Sequence, residues 1–299
     1  MSSFLASIEG TETGHIWALC LALLAAVTHA IFGALQKGRF DPWLTRGAID
    51  ASYALMAAPF AFFIVPWPEP HMWAIFAGVF VIHIGYKVLQ AMAYSKGSYT
   101  VVYPIVRGTG PLITVLAAGA VFGEHFTGIQ WLGVLILSGG IFGLAAFNLT
   151  RADVDKAALK TAMLLAVMTG LFVALYTTFD AFGIRATFDP FTFLAWFFLI
   201  DGLVFPVIAT LRYRNMVSPP PLAPLLRRGL VGGLLAPLSF GSVMLATRLD
   251  SVGEAAVLRE TSTVFAALIG WLFLRETVGP VRAGLMAVIA LGAVVVEFG

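Results

Sequence analysis

Long apolar runs separated by short polar connectors make up almost the whole chain of 299 residues. An α-helix needs about 20 apolar residues to cross the hydrocarbon core of a bilayer. Ten runs have roughly that length, near residues 16–36, 42–65, 72–94, 98–121, 128–147, 158–183, 191–211, 229–248, 252–273 and 278–298. The pattern therefore predicts an all-α polytopic membrane protein with ten transmembrane helices.

The composition excludes a soluble domain. Apolar residues make up 60% of the chain and charged residues only 11%, whereas soluble domains carry about 25% charged residues. The single cysteine, Cys20, excludes a disulfide within one chain. The first apolar run is preceded by Glu9 and Glu12 and extends to Gln36, so it predicts an uncleaved span rather than a signal peptide.

Basic residues lie mostly on one side of the predicted spans. Connectors 1–2, 3–4, 5–6, 7–8 and 9–10, with the adjoining helix ends, contain Lys37, Arg39, Arg46, Lys96, Arg151, Lys156, Lys160, Arg212, Arg214, Arg227, Arg228, Arg275 and Arg282. The other side has only Arg185 and Arg248. The positive-inside rule places the basic side in the cytoplasm, which predicts a bacterial inner-membrane protein with both termini in the periplasm. The proline run within 212–228 predicts a stiff surface loop.

The sequence contains an internal repeat. Residues 107–124 begin with Arg and end with Glu, and residues 259–276 do the same at an offset of 152. FDPW at 40–43 recurs as FDPF at 188–191, where Asp followed by Pro is typical of a helix start. LLAAVTHAIF (23–32) also resembles LLAVMTGLFV (164–173).

The repeat divides the chain into two halves of five spans, residues 1–150 and 151–299. Because five is odd, the halves cross the membrane in opposite directions and form an inverted repeat. Inverted repeats are typical of carriers that work by alternating access, with a site near the midplane between the halves. A duplication kept for packing alone is the alternative.

Polar residues within the spans recur at helical spacing, which predicts polar faces that line a cavity. The third span contributes His83, Tyr86, Lys87 and Gln90; the fourth Tyr99, Tyr103 and Arg107; the sixth Tyr176 and Asp180; the eighth Ser239 and Ser242; and the ninth Arg259 and Glu260. We interpret all of these as candidate substrate-binding residues.

Structural roles compete with this interpretation. Lys87 could extend to the membrane surface, and His83 could bond a neighbouring helix. Arg107 and Arg259 could form ion pairs with Asp201, Glu254 or Glu260. Tyr99 is also typical of the interfacial aromatic belt.

Proline and glycine surround Arg107 in the fourth span. Pro104, Gly108, Gly110 and Pro111 predict a bend or hinge there, because proline removes a backbone hydrogen bond. The ninth span has no matching proline or glycine, so we expect the two halves to differ in function. Gly139 and Gly143 form a close-packing motif in the fifth span, which with the tenth span we expect at the periphery or in a dimer contact.

Two stretches carry a family resemblance, FGEHFTGIQWLGVLILSGG (122–140) and LRETVGPVRAGLMAVIALG (274–292). With the ten spans and the five-plus-five repeat, they resemble the drug/metabolite transporter superfamily and its EamA-type carriers. Arg275 before Glu276 departs from the apolar-Gly-Glu pattern that Glu124 keeps. The resemblance implies a basket-like bundle with a central cavity formed by spans 1–4 and 6–9. It implies export of small metabolites, often amino acids. Many relatives keep both termini inside; the charge bias predicts the reverse here.

We therefore expect an exporter of amino acids or similar zwitterions. Arg107 and Lys87 would contact a carboxylate, Asp180 or Glu260 an ammonium group, and the tyrosines an apolar or aromatic side chain. A multidrug or organic-cation exporter, with a proton cycling on a membrane carboxylate, is the main alternative. A phosphorylated-sugar antiporter would need more than three mid-span cations.

Other classes fit the sequence less well. The sequence contains no HExxH motif, no nucleophile elbow and no P-loop, so no motif indicates an enzyme. The histidines have no metal-ligand spacing. We expect no cofactor, no metal and no nucleic-acid partner; the partners are the substrate and the lipid bilayer, and the chain is a monomer or a homodimer. A receptor or scaffold would not explain polar faces in both halves.

One mutation tests the role of the fourth span. We expect Arg107→Gln to reduce transport strongly with little effect on membrane insertion, because the guanidinium faces a cavity and not lipid. Flux measured in proteoliposomes checks this. Normal flux in the mutant would assign Arg107 to packing.

Overall fold

A computed structural model describes residues 2–36, 40–96, 99–150, 156–274 and 279–299, with side chains in the same ranges except at 34–36, 99–101, 156–159 and 270–274. Several residues named above lie outside this description, namely Lys37, Arg39, Arg151, Arg275 and Glu276, together with the side chains of Tyr99 and Lys156.

The described chain is helical throughout. The helices are α1 (Ser2–Ile8), α2 (Glu12–Gln36), α3 (Pro42–Phe63), α4 (Met72–Lys96), α5 (Tyr99–Phe122), α6 (Gly128–Leu149), α7 (Lys156–Arg185), α8 (Pro190–Asp201), α9 (Val204–Arg214), α10 (Leu222–Ala236), a π-helical turn (Pro237–Gly241), α11 (Ser242–Leu249), α12 (Val252–Arg259), α13 (Ser262–Leu274) and α14 (Pro280–Phe298).

Eight helical stretches in these ranges are long and apolar enough to cross a membrane. They correspond to eight of the ten predicted spans. The second and the ninth predicted spans are not among them. The second is α3, a helix of 22 residues with Arg46 and Asp50 buried near its start. The ninth is divided into α12 and α13, neither of which reaches about 20 residues. The count of ten spans stays a prediction.

The two Asp-Pro sequences begin helices as predicted. The Asp41 carboxylate accepts hydrogen bonds from the backbone N–H groups of Trp43 and Leu44 at 2.9 and 3.3 Å. The Asp189 carboxylate accepts one from Phe191 at 3.1 Å. In both helices the following proline occupies the first turn, where no N–H is needed.

The proline run at 219–221 is not helical, as predicted, but the connector is shorter than the predicted range of 212–228. Helix α9 continues to Arg214, and α10 already begins at Leu222. Pro224 is compatible with α10 because it lies in the first turn, where a backbone N–H has no partner within the helix.

Helices of the first half of the chain pack against helices of the second half in several places. Helices α4 and α5 pack on α7, while α2 packs on α10 to α13. Helix α3 packs on α8, α9 and α10, and α6 packs on α14. The space at the centre of the bundle is therefore enclosed by helices from both halves.

Helices α6 and α14 form a closely packed pair. A Cβ added at Gly292 would lie 2.5 Å from the backbone nitrogen of Leu137, and one at Gly133 would lie 2.8 Å from the backbone nitrogen of Val296. Gly143 lies against the Leu285 side chain, whereas a Cβ at Gly139 would have nothing within 4 Å. The predicted glycine motif therefore contributes Gly143 to this contact but not Gly139.

We expect Gly292→Val to destabilise the protein by about 1–3 kcal/mol, since its side chain would overlap the backbone of α6. Gly139→Val is the matched control, because the same substitution there meets open space. The apparent melting temperature in detergent measures the difference. Equal melting temperatures for the two variants would contradict the close contact.

Candidate substrate site between the two halves

Arg107 and Glu260 form a buried ion pair between the halves. Nη1 of Arg107, on α5, lies 2.8 Å from Oε1 of Glu260, and the two residues are 4% and 1% exposed. The Arg107 guanidinium also lies over the Tyr103 ring, 5.3 Å from its centroid. Of the three partners considered for Arg107, the structure contains the pair with Glu260.

The helix that carries Arg259 is interrupted directly after it. Helix α12 ends at Arg259, Glu260 and Thr261 form a turn, and α13 begins at Ser262. The backbone N–H groups of Glu260 and Thr261 bond to carbonyls three residues back, and the Thr261 hydroxyl bonds the Leu258 carbonyl at 2.6 Å. Discontinuous membrane helices are typical of transporter binding sites.

This interruption was not predicted, whereas a bend or hinge was predicted around Arg107 in the fourth span. Helix α5 is continuous through Pro104, Gly108, Gly110 and Pro111. Its glycines permit close contacts, since a Cβ at Gly108 would lie 2.9 Å from the Phe142 ring. The break falls in the ninth span, where no matching proline or glycine predicted it.

Arg259 is buried with incomplete pairing. Its Nη2 lies 3.5 Å from both the Thr177 hydroxyl and Oε1 of Glu260. Its Nε has no hydrogen-bond partner among the described residues, and the residue is 2% exposed. Two guanidinium groups, on Arg107 and Arg259, therefore share one carboxylate, that of Glu260.

Two cavities adjoin these arginines. The Arg107 cavity has a volume of about 10 Å³, enough for about one water molecule, and is lined by His29, Phe32, Gly33, Tyr86, Gln90, Tyr94, Tyr103, Val106, Arg107, Val173 and Tyr176. The Arg259 cavity has the same volume of about 10 Å³ and is lined by Tyr176, Thr177, Asp180, Phe240, Val243, Met244, Thr247 and Arg259. Tyr176 lines both cavities and separates them.

The Arg259 cavity combines opposite charges with an apolar wall. Asp180 and Arg259 both line it, and both are at least 97% buried. Phe240, Val243 and Met244 supply the apolar surface. A ligand that entered this cavity in a more open conformation would therefore meet one cation, one anion and a hydrophobic face.

His83 connects Asp180 to a second buried carboxylate. Its Nε2 lies 2.9 Å from Oδ2 of Asp180, and its Nδ1 lies 3.4 Å from Oδ1 of Asp201. Because each ring nitrogen is near a carboxylate, His83 orients Asp180 from behind the cavity.

Lys87 is held deeper in the same network. Its ammonium group lies 2.6 Å from Oδ2 of Asp50 and 2.8 Å from Oδ1 of Asp201, and it donates to the Tyr53 hydroxyl at 2.9 Å. It also donates to the backbone carbonyl of Asp201 at 2.7 Å, where α8 ends. Arg46 pairs with Asp50 at 2.8 Å.

The predicted site residues therefore divide into groups. Tyr86, Gln90, Tyr103, Arg107, Tyr176, Asp180 and Arg259 line the two cavities. Lys87 and His83 line neither cavity and belong to the ionic network. Lys87 was expected to contact a substrate carboxylate, but in the structure its partners are the carboxylates of Asp50 and Asp201. Ser242 is buried outside both cavities, and the side chain of Tyr99 is not described.

Sequence reasoning missed His29 and Phe240. The His29 ring bonds the Ser239 hydroxyl at 3.2 Å, and Ser239 also donates to the Ala25 carbonyl. Phe240 and Ser239 lie in the π-helical turn that starts at Pro237. Such turns are frequent at functional sites, and Pro237 was the only signal for this one.

A second polar group lies at the end of the bundle where α2 begins. Donor atoms of His15, Asp250 and Glu254 all lie within 4.8 Å of one another. Sequence spacing gave no indication of this group because His15 lies 235 residues before Asp250 in the chain.

Glu124, the acidic residue of the first repeat motif, caps a helix of the second half. Its carboxylate accepts hydrogen bonds from the backbone N–H groups of Val252 and Gly253 at 2.8 and 3.0 Å and from the Ser251 hydroxyl at 2.9 Å. A carboxylate at the start of α12 satisfies N–H groups that have no partner within the helix. The motif residue therefore joins the two halves.

Comparison with known proteins agrees with this architecture. The profile of the EamA-like transporter family matches the chain twice, over residues 14–146 and 160–298. No curated protein matches the sequence. Among 28 matching chains of solved structures, one crystal structure has a TM-score of 0.71 at 17% identity, with 96% of this chain and 98% of the other covered. At that identity, the likeness concerns the fold alone.

Proposed function

The chain belongs to the EamA-like transporter family of the drug/metabolite transporter superfamily, and on that premise we propose that it exports zwitterionic metabolites, most favourably amino acids. The observation that carries this proposal is the presence of Asp180 and Arg259 in one buried cavity with an apolar wall. A free amino acid has the complementary charges and an uncharged side chain.

Arg259 is the proposed contact for the substrate carboxylate. A guanidinium group binds a carboxylate through two parallel hydrogen bonds. The Arg259 Nε has no hydrogen-bond partner in the described structure, and its Nη2 contacts are 3.5 Å long. Donor capacity is therefore available, unlike at Lys87, whose ammonium already has several close partners.

Asp180 is the proposed contact for the substrate ammonium group. A carboxylate has about four acceptor positions, and His83 approaches Asp180 from outside the cavity. Phe240, Val243 and Met244 would contact an aliphatic or aromatic side chain. Loss of the ligand carboxylate would leave Arg259 with only its 3.5 Å contacts to Thr177 and Glu260, which is the basis of selectivity.

Alternating access is the proposed mechanism. The halves 1–150 and 151–299 would act as inverted units, consistent with their reciprocal packing. Tyr176 lies between the two cavities, so a shift of α7 relative to α5 would connect or separate them. The Arg107–Glu260 pair would keep the halves in register while the cavities change.

An organic-cation exporter would need a membrane carboxylate that is free to exchange a proton. Glu260 is held by Arg107. Among the described residues, Asp180 is the only carboxylate that lines either central cavity, and Arg259 lines the same one. A cation without a carboxylate would leave Arg259 unpaired, which favours a zwitterion.

We propose a bacterial inner membrane as the location, with both termini in the periplasm, on the basis of the Lys/Arg bias. Cysteines at exposed positions test the orientation in a Cys20→Ser background. An impermeant maleimide should label Pro70→Cys in intact spheroplasts and Val217→Cys only after permeabilisation. The opposite labelling would reverse the proposed orientation.

Transport by purified protein tests the proposed substrate contacts. In proteoliposomes, we expect Arg259→Gln and Asp180→Asn each to reduce flux of labelled leucine or methionine by about tenfold or more, because each removes a charge-assisted hydrogen bond worth about 1.5–3 kcal/mol. Arg212→Gln is the matched control, since Arg212 pairs with Asp41 at the surface.

Wild-type protein that moves no labelled amino acid above empty liposomes would overturn the proposal. Transport of tetraphenylphosphonium, abolished by Glu260→Gln, would instead support the organic-cation alternative.

A further inference from the structure

A narrow acidic pocket lies apart from the two central cavities, at the end of the bundle where α2 begins. Three carboxylates and one imidazole line it, from His15 on α2, Asp250 between α11 and α12, Glu254 on α12 and Glu297 on α14. None of its lining residues belongs to the Arg107 or Arg259 cavity. The proposed transport function makes no use of it.

The four side chains converge on a small volume. Nδ1 of His15 is hydrogen-bonded to Oδ2 of Asp250, and Nε2 of His15 lies 3.4 Å from Oε1 of Glu297. The donor atoms of His15, Asp250 and Glu254 lie within 4.8 Å of one another. The group is reachable from outside, because the His15 and Asp250 side chains are 44% and 31% exposed.

Glu297 is the feature of this pocket that points to ligand binding. Its side chain is 4% exposed, and neither carboxylate oxygen has a hydrogen-bond partner among the described residues. A buried carboxylate is costly unless it is paired or coordinates a metal. His15 is the closest described cation, and it already bonds Asp250.

The local charge is not balanced by the nearby arginines. Arg185 donates to the backbone carbonyls of Thr247 and Asp250, and Arg248 pairs with Glu9. The described partner of Glu254 is the neutral side-chain amide of Gln130, at 2.9 Å. Three carboxyl groups therefore face one histidine, and the pocket has a net negative charge when all three are ionised.

We propose that this pocket binds one divalent transition-metal ion through His15, Asp250, Glu254 and Glu297. Imidazole nitrogen together with carboxylate oxygen suits zinc or manganese, whereas calcium and magnesium prefer oxygen ligands alone. Donor atoms in a tetrahedral zinc site are about 3.4 Å apart, so those of His15, Asp250 and Glu254, which lie within 4.8 Å of one another, would need to move by about 1 Å to surround an ion. Glu297 lines the same pocket as the fourth ligand. The ion would join α2, α12 and α14.

Metal binding to purified, tag-free, full-length protein tests the proposal. By equilibrium dialysis at neutral pH, we expect one zinc or manganese ion per chain, with magnesium and calcium at least about tenfold weaker. Zinc should also raise the apparent melting temperature, since an ion bound only to the folded state stabilises it.

Variants of the pocket distinguish zinc binding at this site from zinc binding to scattered surface residues. Glu297→Gln and Glu254→Gln should each weaken zinc binding by about tenfold or more. His71→Gln is the matched control, because it removes an exposed histidine that lies 3.4 Å from Glu69 and far along the chain from the pocket. It should leave the affinity unchanged.

Two results would overturn the proposal. One is the absence of saturable zinc or manganese binding to the wild type; the other is wild-type affinity in both pocket variants. Melting temperatures measured without metal show that the variants are folded, so weaker binding reflects lost ligands. Neither result depends on which substrate is transported.

Discussion

The need to pair charges that are buried in a membrane protein organises this bundle. A single charge at the centre of a bilayer costs roughly 3 kcal/mol on insertion scales, and a buried charge without a partner costs more than a paired one. The chain meets this constraint by pairing across its two halves. Arg107 finds Glu260, and Lys87 finds Asp201, although each partner lies more than 110 residues away along the chain.

The same constraint explains the importance of a buried charge that is incompletely paired. Arg259 is buried with weak contacts, and it lines a cavity with Asp180. A zwitterion would complete the pairing of Arg259 and contact Asp180 at the same time, and both residues belong to the second half of the chain. The interruption after Arg259 supports this role, because an irregular backbone at membrane depth is tolerated where it borders a cavity.

The sequence was sufficient for local features and insufficient for those that depend on packing. Helix starts at Asp41 and Asp189 were predictable because a cap and a proline act within a few residues. The partner of Arg107 was not, since three carboxylates were equally possible until the helices were packed. The interruption at Glu260 could not be predicted because no proline or glycine lies next to it in the sequence.

Binding of three matched ligands tests the central claim most directly. Leucine, leucine methyl ester and N-acetylleucine share one side chain but differ in the carboxylate and the ammonium group. The account predicts that leucine alone raises the apparent melting temperature of the wild type, and that Arg259→Gln abolishes this shift. An equal shift with the methyl ester would contradict it, because a ligand without a carboxylate cannot pair with Arg259.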